Sequence, residues 1–158
     1  MSISSKSSRG LLEAMNPKPK IILELGPYVG SSAVVLGAML KGFHDRGLDR
    51  CKVYSCELSA DSTKIVRDFV KIAGLDSVVE VCEGPAAETL KRLHTEGTVT
   101  HTDVLLIDHW EKFYLPDLQV CEDLGILKKG SVVIEDNTDY PSAPDYVEYM
   151  RSGGRAGR

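Results

Sequence analysis

The residues of this 158-residue chain that are best suited to chemistry stand in or directly after short apolar runs. The run that begins at Ile21 contains Glu24 and leads into a glycine turn, Gly26-Pro-Tyr-Val-Gly30. Glycines let the backbone turn sharply and let a ligand approach the main chain. Such a turn can also be purely structural. Tyr28 stands where the GxGxxG signature has its middle glycine. This weakens the case for a nicotinamide-dependent dehydrogenase.

A second carboxylate, Glu57, ends the apolar run that begins at Lys52. In a doubly wound fold, a carboxylate at this position can accept hydrogen bonds from both hydroxyls of a ribose. A solvated surface glutamate is the alternative for Glu57 taken alone. Together with the upstream glycine turn, its position favours a nucleoside-binding site.

Acidic and amide side chains follow two later apolar runs. Asp108 ends the run in LLIDHW, while Asp136 and Asn137 follow the run in VVIEDN. Neighbouring strands would bring these oxygens together, and hard oxygen ligands without thiolates select Mg²⁺ or Ca²⁺. A lone aspartate at a strand end is more often a helix cap or a turn former. Two such ends beside a nucleoside site favour a Mg²⁺ site with few protein ligands.

His109 and Trp110 come directly after the first metal candidate. A single histidine is more often a hydrogen-bonded structural residue than a metal ligand. Trp110, the only tryptophan of the chain, can pack in the core or at its rim. Its flat indole can equally line a pocket for a nucleoside or an aromatic substrate. The sequence leaves these alternatives open.

Strand-length apolar runs alternate with helix-like stretches along most of the chain. The predicted strands are 21–25, 52–57, 78–82, 103–107 and 131–135, and the predicted helices are 31–41, 59–74, 86–94 and 115–124. Parallel strands need helical crossovers, which cover both faces of the sheet. The pattern therefore predicts an α/β fold with a doubly wound parallel sheet. Apolar residues at 65, 66, 69, 70 and 73 predict a helical stripe that faces this sheet.

Length and composition limit the classes of function. A chain of 158 residues with 42% hydrophobic content fits one globular domain. The net charge of −4 and the scattered Lys and Arg residues argue against nucleic acid as a partner. The four cysteines lack zinc-site spacing, which predicts free thiols in a reducing compartment. With no apolar run suited to a membrane or a leader peptide, we expect a cytoplasmic protein that acts on a small molecule.

In this order and spacing, the motifs resemble the catechol O-methyltransferase family, whose members are class I, S-adenosylmethionine-dependent and Mg²⁺-dependent. The resemblance covers roughly residues 9 to 150 and rests on ILELGPYVGSSAV, CELSAD, LLIDHWEKFYLPD, LKKGSVVIEDN and YPSAPDY. It implies a Rossmann-like methyltransferase fold. It also implies that a hydroxyl of a catechol or related phenol accepts the methyl group.

The resemblance further implies roles for individual residues. Those expected to contact S-adenosylmethionine are Glu24, Gly26, Tyr28, Ser32, Glu57, Gly84, Ala86, Asp108, His109 and Trp110. Those expected to bind Mg²⁺ are Asp108, Asp136 and Asn137, of which Asn137 would also contact the substrate. Glu111 and Lys112 stand where the family has its catalytic proton acceptor.

The chain departs from the family at three places. Ala86 and Ala87 replace a Ser-Gln pair beside the adenine, which predicts weaker cofactor binding. Glu111 stands at the position of the family's lysine base and Lys112 follows it, so the proton acceptor is open between the two. The sheet is expected to lack its last strands, and an exposed edge of that kind predicts self-association.

The predicted organisation is a disordered segment at 1–10, an S-adenosylmethionine-binding domain at 11–150 and a Gly/Arg tail at 151–158. Two functions follow from it. The first is an active, Mg²⁺-dependent catechol O-methyltransferase. The second is a non-catalytic or shortened relative that retains at most cofactor binding.

Overall fold

The computed structural model describes residues 5–44, 50–136 and 143–157. Its strands are β1 Ile21–Leu25, β2 Lys52–Glu57, β3 Val79–Glu83, β4 Thr102–Ile107 and β5 Leu127–Glu135. Its α-helices are α1 Ser5–Ala14, α2 Ser31–Phe43, α3 Ala60–Ile72, α4 Ala86–Thr95, α5 Tyr114–Asp123 and α6 Pro144–Arg151. Short 3₁₀ helices cover Glu111–Phe113 and Gly154–Gly157.

The five strands form one parallel sheet in the order β3-β2-β1-β4-β5. The chain runs outward from β1 through β2 to β3, and then returns to β4 on the other side of β1. The strand order therefore reverses between β1 and β4, and the carboxyl ends of these two strands flank a crevice where ligands bind in such sheets. The predicted doubly wound parallel sheet is confirmed.

Helices cover both faces of the sheet because alternate strand residues point in opposite directions. On one face Leu23 and Leu25 pack in a core with residues of α4, α5 and α6. On the other face Ile22 packs in a second core with residues of α1, α2 and α3. Burial on both faces explains why the central strands read as continuous apolar runs.

The ends of the chain differ from the sequence prediction. Residues 5–10 were expected to be disordered, whereas they lie in α1, which Leu12 anchors with only 1% of its surface exposed. Arg155, in the predicted tail, forms ion pairs with Glu122 and Asp123 at the end of α5. The sequence also gave no sign of α6, because its Pro144 and short length hide the helical period.

Two further elements were only partly predicted. In α3, Val66 and Val70 are buried as expected, but Ile65 and Phe69 are 42% and 50% exposed. The predicted stripe spans a wider arc than one helix can bury against a sheet. Strand β5 begins at Leu127 instead of residue 131, because a register shift carries its Lys-Lys-Gly segment past β4.

None of the helices in the described ranges is long and apolar enough to cross a membrane.

Candidate functional site

A cavity of about 590 Å³ opens at the carboxyl ends of the central strands. Most of its walls come from the segments that follow β1, β2, β3 and β4. The lining residues are Gly26, Tyr28, Cys56, Glu57, Leu58, Ser59, Ser62, Gly84, Pro85, Ala86, Ala87, Asp108, His109, Trp110, Phe113 and Asp117. This volume is that of a typical small-molecule or cofactor pocket.

The glycine turn brings the end of β1 against the end of β4. Gly26 has φ 93°, and a Cβ there would lie 2.6 Å from the carbonyl oxygen of Asp108 and 2.7 Å from Cβ of His109. Any side chain at this position would separate the two loops. Gly30 has φ 91° and packs against Val66 of α3, where a Cβ would lie 3.1 Å from Cγ1. Both glycines are therefore required by close approach as well as by conformation.

Glu57 links the loops at one end of the cavity, which we call the nucleoside end after the sequence prediction for this residue. One carboxylate oxygen accepts a hydrogen bond from the amide of Tyr28 at 3.1 Å, and the other accepts one from the amide of Ser59 at 2.8 Å. Its backbone carbonyl accepts from the amide of Gly84 at 2.9 Å. Each carboxylate oxygen can still accept a second hydrogen bond, so Glu57 can bind hydroxyl groups without losing its backbone partners.

Glu24 lies behind the cavity wall and is fully buried. Its Oε2 accepts a hydrogen bond from Ser55, while Oε1 has no hydrogen-bond partner in the described part of the chain. Burial raises the pKa of Glu24 to about 7, although the Ser32 and Ser55 hydroxyls lower it. A buried carboxylate oxygen without a partner suits a cationic group, such as the amine of an amino-acid ligand.

The ends of β4 and β5 form an acidic end to the cavity. The amide of Asp108 donates to the carbonyl of Leu25 at 2.9 Å, and the amide of Asp136 donates to the carbonyl of Ile107 at 3.2 Å. The pKa of Asp108 is raised to about 6, chiefly by burial and then by the negative charges of Asp136 and Glu111, against the lowering effect of His109. The Asp108 and Asp136 carboxylates repel each other when both are ionised, and a divalent cation would relieve that repulsion.

The sequence predicted three metal ligands, and the structure brings two of them together. Asn137 lies outside the described residues. Within the described ranges, no group of three or more His, Cys, Asp or Glu side chains is arranged to hold a metal ion. Hard oxygen donors from Asp108 and Asp136 alone still fit Mg²⁺, which usually keeps several waters and takes only one or two carboxylates.

His109 is held by α5. Its Nε2 lies 2.7 Å from Oδ2 of Asp117, and its ring stacks on Tyr114 with centroids 5.4 Å apart. The buried Nδ1 has no hydrogen-bond partner among the described residues. These contacts favour a hydrogen-bonded structural role for His109 over metal ligation.

An aromatic group stands at the mouth of the cavity. Trp110 is 64% exposed and lies nearly parallel to Phe113, with ring centroids 6.5 Å apart. Nζ of Lys112 lies 4.5 Å from the Trp110 centroid and 4.8 Å from the Phe113 centroid, so the ammonium group makes cation–π contacts with both rings. Of the two proton-acceptor candidates, Glu111 is the one whose charge acts on Asp108.

Comparison of the sequence with known proteins shows the family of this chain. A methyltransferase domain family matches residues 23–138. The chain is 35% identical over 138 residues to porcine catechol O-methyltransferase (Sus scrofa), with 87% of this chain and 70% of the relative covered. The chain belongs to the catechol O-methyltransferase family.

Two further relatives define the extent of the match. The bovine catechol O-methyltransferase (Bos taurus) is also 35% identical, and the match covers 87% of this chain but 48% of the relative. The chain therefore spans about half the length of that protein. An S-adenosylhomocysteine-bound methyltransferase of Podospora anserina superposes with a TM-score of 0.69 at 29% identity, covering 87% of this chain and 54% of that one.

Most of the residues that the family resemblance suggested for the cofactor line the cavity. The exceptions are Glu24 and Ser32, which lie outside its lining. Sequence reasoning missed six residues that line it: Cys56, Leu58, Ser59, Ser62, Phe113 and Asp117. Of these, Ser59 could have been found from the sequence. It stands two residues after Glu57, and its side chain caps α3 by accepting a hydrogen bond from the amide of Ser62. Asp117 gave no signal, since nothing in the sequence pairs it with His109.

Proposed function

We propose that the chain transfers a methyl group from S-adenosylmethionine to a hydroxyl of a catechol or related vicinal diphenol, with Mg²⁺ as the metal. One observation carries this proposal. A single cavity has a backbone-linked carboxylate, Glu57, at one end and a pair of carboxylates, Asp108 and Asp136, next to the other. The first arrangement suits a ribose, and the second suits a divalent cation with an oxygen-rich substrate.

The cofactor would lie along the glycine turn. Glu57 would accept hydrogen bonds from the ribose hydroxyls, and the methionine end would lie toward Glu24, whose unpartnered oxygen suits an ammonium group. Ala86 and Ala87 line the adenine side without polar side chains. Stacking and shape would therefore hold the base at this wall in place of side-chain hydrogen bonds.

At the acidic end, Asp108, Asp136 and Asn137 would hold Mg²⁺. Bound there, the ion would supply charge that lowers the pKa of adjacent phenolic hydroxyls and would orient them toward the methyl donor. The chain's own part is positioning. Gly26 permits the close approach of the cofactor turn to Asp108, and this fixes the distance between the nucleoside end and the acidic end.

The proton acceptor is proposed to be Glu111, acting directly or through a water. Lys112 is held over the rings of Trp110 and Phe113, which draws its amine toward the aromatic group. An ionised carboxylate beside a metal is a weaker base than a neutral lysine amine. Methylation should therefore be slow at neutral pH and should rise as the phenol ionises.

The four free cysteines of the described structure support a reducing compartment, and we propose the cytoplasm. The proposed partners are small phenols, with self-association through the edge of the sheet.

The test is methyl transfer from labelled S-adenosylmethionine to catechol, with and without added Mg²⁺, alongside calorimetry with S-adenosylhomocysteine. Transfer that requires Mg²⁺ is the expected result. The second candidate is a non-catalytic relative that retains at most cofactor binding, and Ala86, Ala87 and Glu111 favour it. Cofactor binding without any methylated product would establish this second function, and the absence of both would contradict the proposal.

A further inference from the structure

Two cysteines that the proposed reaction does not use lie side by side below the cavity. Cys56 directly precedes Glu57, the last residue of β2, and Cys82 is its direct partner in the register between β2 and β3. Residues paired in this way on neighbouring strands point to the same face of the sheet, and both belong to the core under α4. The two thiols are hydrogen-bonded to each other.

The surroundings give the two thiols different reactivity. The hydrogen bond from Cys56 is the main influence that favours the Cys82 thiolate, and the positive charge of Arg92 and its hydrogen bond add to it, against burial and the negative charge of Glu80. The pKa of Cys82 is lowered as a result, whereas donating its hydrogen bond to Cys82, together with burial, raises the pKa of Cys56. Cys56 lines the cavity, whereas its register partner Cys82 does not, so a peroxide would enter past Cys56 to reach the Cys82 sulfur.

We propose that Cys56 and Cys82 form a site of reversible covalent modification, at which a peroxide converts the two thiols into a disulfide. Neighbouring strands lie about 4.8 Å apart, and this spacing falls within the range of about 4.4–6.8 Å between the Cα atoms of disulfide-linked residues.

The reaction has two steps. The Cys82 thiolate attacks one oxygen of hydrogen peroxide, the O–O bond breaks, and the products are the Cys82 sulfenic acid and, after protonation, water. The Cys56 thiol then attacks the Cys82 sulfur, an S–S bond forms, and the sulfenic oxygen leaves as a second water. Two thiols are oxidised by two electrons in total, and one peroxide is reduced. A dithiol reductant reverses the change.

The bond would form directly beneath the nucleoside end. The carbonyl of Cys56 accepts a hydrogen bond from the amide of Gly26 at 3.0 Å, and the next residue, Glu57, holds both Tyr28 and Gly84. Any backbone shift of Cys56 that accompanies formation of the bond would strain these links. We therefore expect oxidation to weaken cofactor binding. This consequence rests on the proposed function, but formation of the disulfide does not depend on it.

Peptide mapping tests the site in the full chain. The four cysteines fall in separate tryptic peptides: 51–52 for Cys51, 53–64 for Cys56, 72–91 for Cys82 and 113–128 for Cys121. After exposure to a small molar excess of hydrogen peroxide and alkylation of the remaining thiols, the expected product links peptides 53–64 and 72–91. The link should disappear on treatment with dithiothreitol. Recovery of both peptides fully alkylated, or a link to Cys121 instead, would overturn the proposal.

Variants separate this pair from general oxidation. Cys51→Ser and Cys121→Ser are controls, because both remove a buried thiol and should leave the link intact. Cys56→Ser and Cys82→Ser should each abolish it. Arg92→Gln should slow formation of the link about three- to tenfold by raising the pKa of Cys82, while Arg92→Lys should restore part of the rate. Equal rates in wild type and Arg92→Gln would remove Arg92 from the site.

Calorimetry with S-adenosylhomocysteine adds an arm that depends on the cofactor. Oxidised wild type should bind about tenfold more weakly than reduced wild type, the effect of losing one charge-assisted hydrogen bond. Reduction should restore the affinity, and Cys82→Ser should show no response to peroxide. If reduced protein binds no cofactor, the proposed function fails while the peptide map still decides the disulfide. An unchanged affinity in protein shown to be linked would refute the coupling to the cavity.

Discussion

The two ends of the cavity use carboxylates in opposite ways. Glu57, at the nucleoside end, accepts two backbone hydrogen bonds and is the last residue of β2, which lies between β1 and β3. Asp108, at the acidic end, lies beside Asp136, whose charge helps to raise its pKa. The nucleoside end is thus satisfied by the chain itself, whereas the acidic end keeps an unfavourable interaction that a cation would remove. The backbone hydrogen bonds of Glu57 contribute to the stability of the fold, whereas the repulsion at the acidic end is relieved only when a cation binds there.

The largest effect should follow from breaking the acidic end. Asp136→Asn, or removal of divalent cations with a chelator, should reduce methyl transfer by roughly 10²- to 10⁴-fold, because a metal contributes several kcal/mol of charge stabilisation and orientation. Affinity for S-adenosylhomocysteine should change little. The measurement is single-turnover methyl transfer to catechol, with Asp76→Asn, an exposed loop residue, as the matched control. Full activity in a chelator would exclude a metal role for this end.

A gain of function should come from restoring a base beside the acidic end. Glu111→Lys should raise the rate at pH 7 by roughly tenfold to a thousandfold if general-base catalysis returns. The same assay at saturating cofactor and Mg²⁺ measures it, and Lys112→Ala serves as the companion variant. A wild-type rate that is already fast, and that Lys112→Ala abolishes, would assign the proton to Lys112 instead.

A substitution at the nucleoside end should weaken binding of the cofactor. Glu57→Ala should weaken S-adenosylhomocysteine by about 1.5–3 kcal/mol, since charge-assisted hydrogen bonds to the ribose are lost. Glu83→Ala is the control, because Glu83 pairs with Glu57 in register but is half exposed and lies outside the cavity lining. Calorimetry compares the two. Equal affinity in wild type and Glu57→Ala would remove Glu57 from the site.

Glu24, buried behind the turn, should make folding stability depend on pH. Its carboxyl ionises near pH 4.5 in the unfolded chain but only at about pH 7 in the folded one. The folded state therefore holds the extra proton, so this contribution to the free energy of unfolding is complete below pH 4.5 and is lost as pH rises to about 7.

Glu24→Gln should remove that loss and stabilise the protein at pH 8 by about 1–3 kcal/mol relative to wild type, and by much less at pH 4.5. Urea denaturation at both pH values measures the difference, and Glu80→Gln on the exposed side of β3 is the control. A stability difference independent of pH would show that Glu24 does not titrate in this range.

The smallest effect concerns the outer strand next to the acidic end. Within the described ranges β5 has one sheet neighbour, β4, so its other side has backbone groups available for pairing. We expect weak, concentration-dependent self-association in the micromolar to millimolar range, detectable by sedimentation. A monomer at every concentration in that range would show that this edge is covered.

Much of the fold was predictable because burial on both faces leaves a strong sequence pattern. The first four apolar runs along the chain became strands with ends within one residue of those predicted. Strand β5 was less predictable, since Lys128 and Lys129 interrupt its apolar pattern and the bulge is a tertiary feature. The half-exposed Ile65 and Phe69 show a further limit, because helical periodicity gives a direction but not the width of the buried arc.

The sequence by itself determined the fold class, the glycine turn and the positions of Glu57, Asp108 and Asp136 at strand ends, because these follow from periodicity and from order along the chain. Only the tertiary structure decided which side chains meet. The His109–Asp117 pair, the position of Lys112 over two rings and the register of Cys56 with Cys82 depend on packing between distant segments. Such contacts leave no local pattern, since each partner alone satisfies the same burial and propensity rules as many other residues.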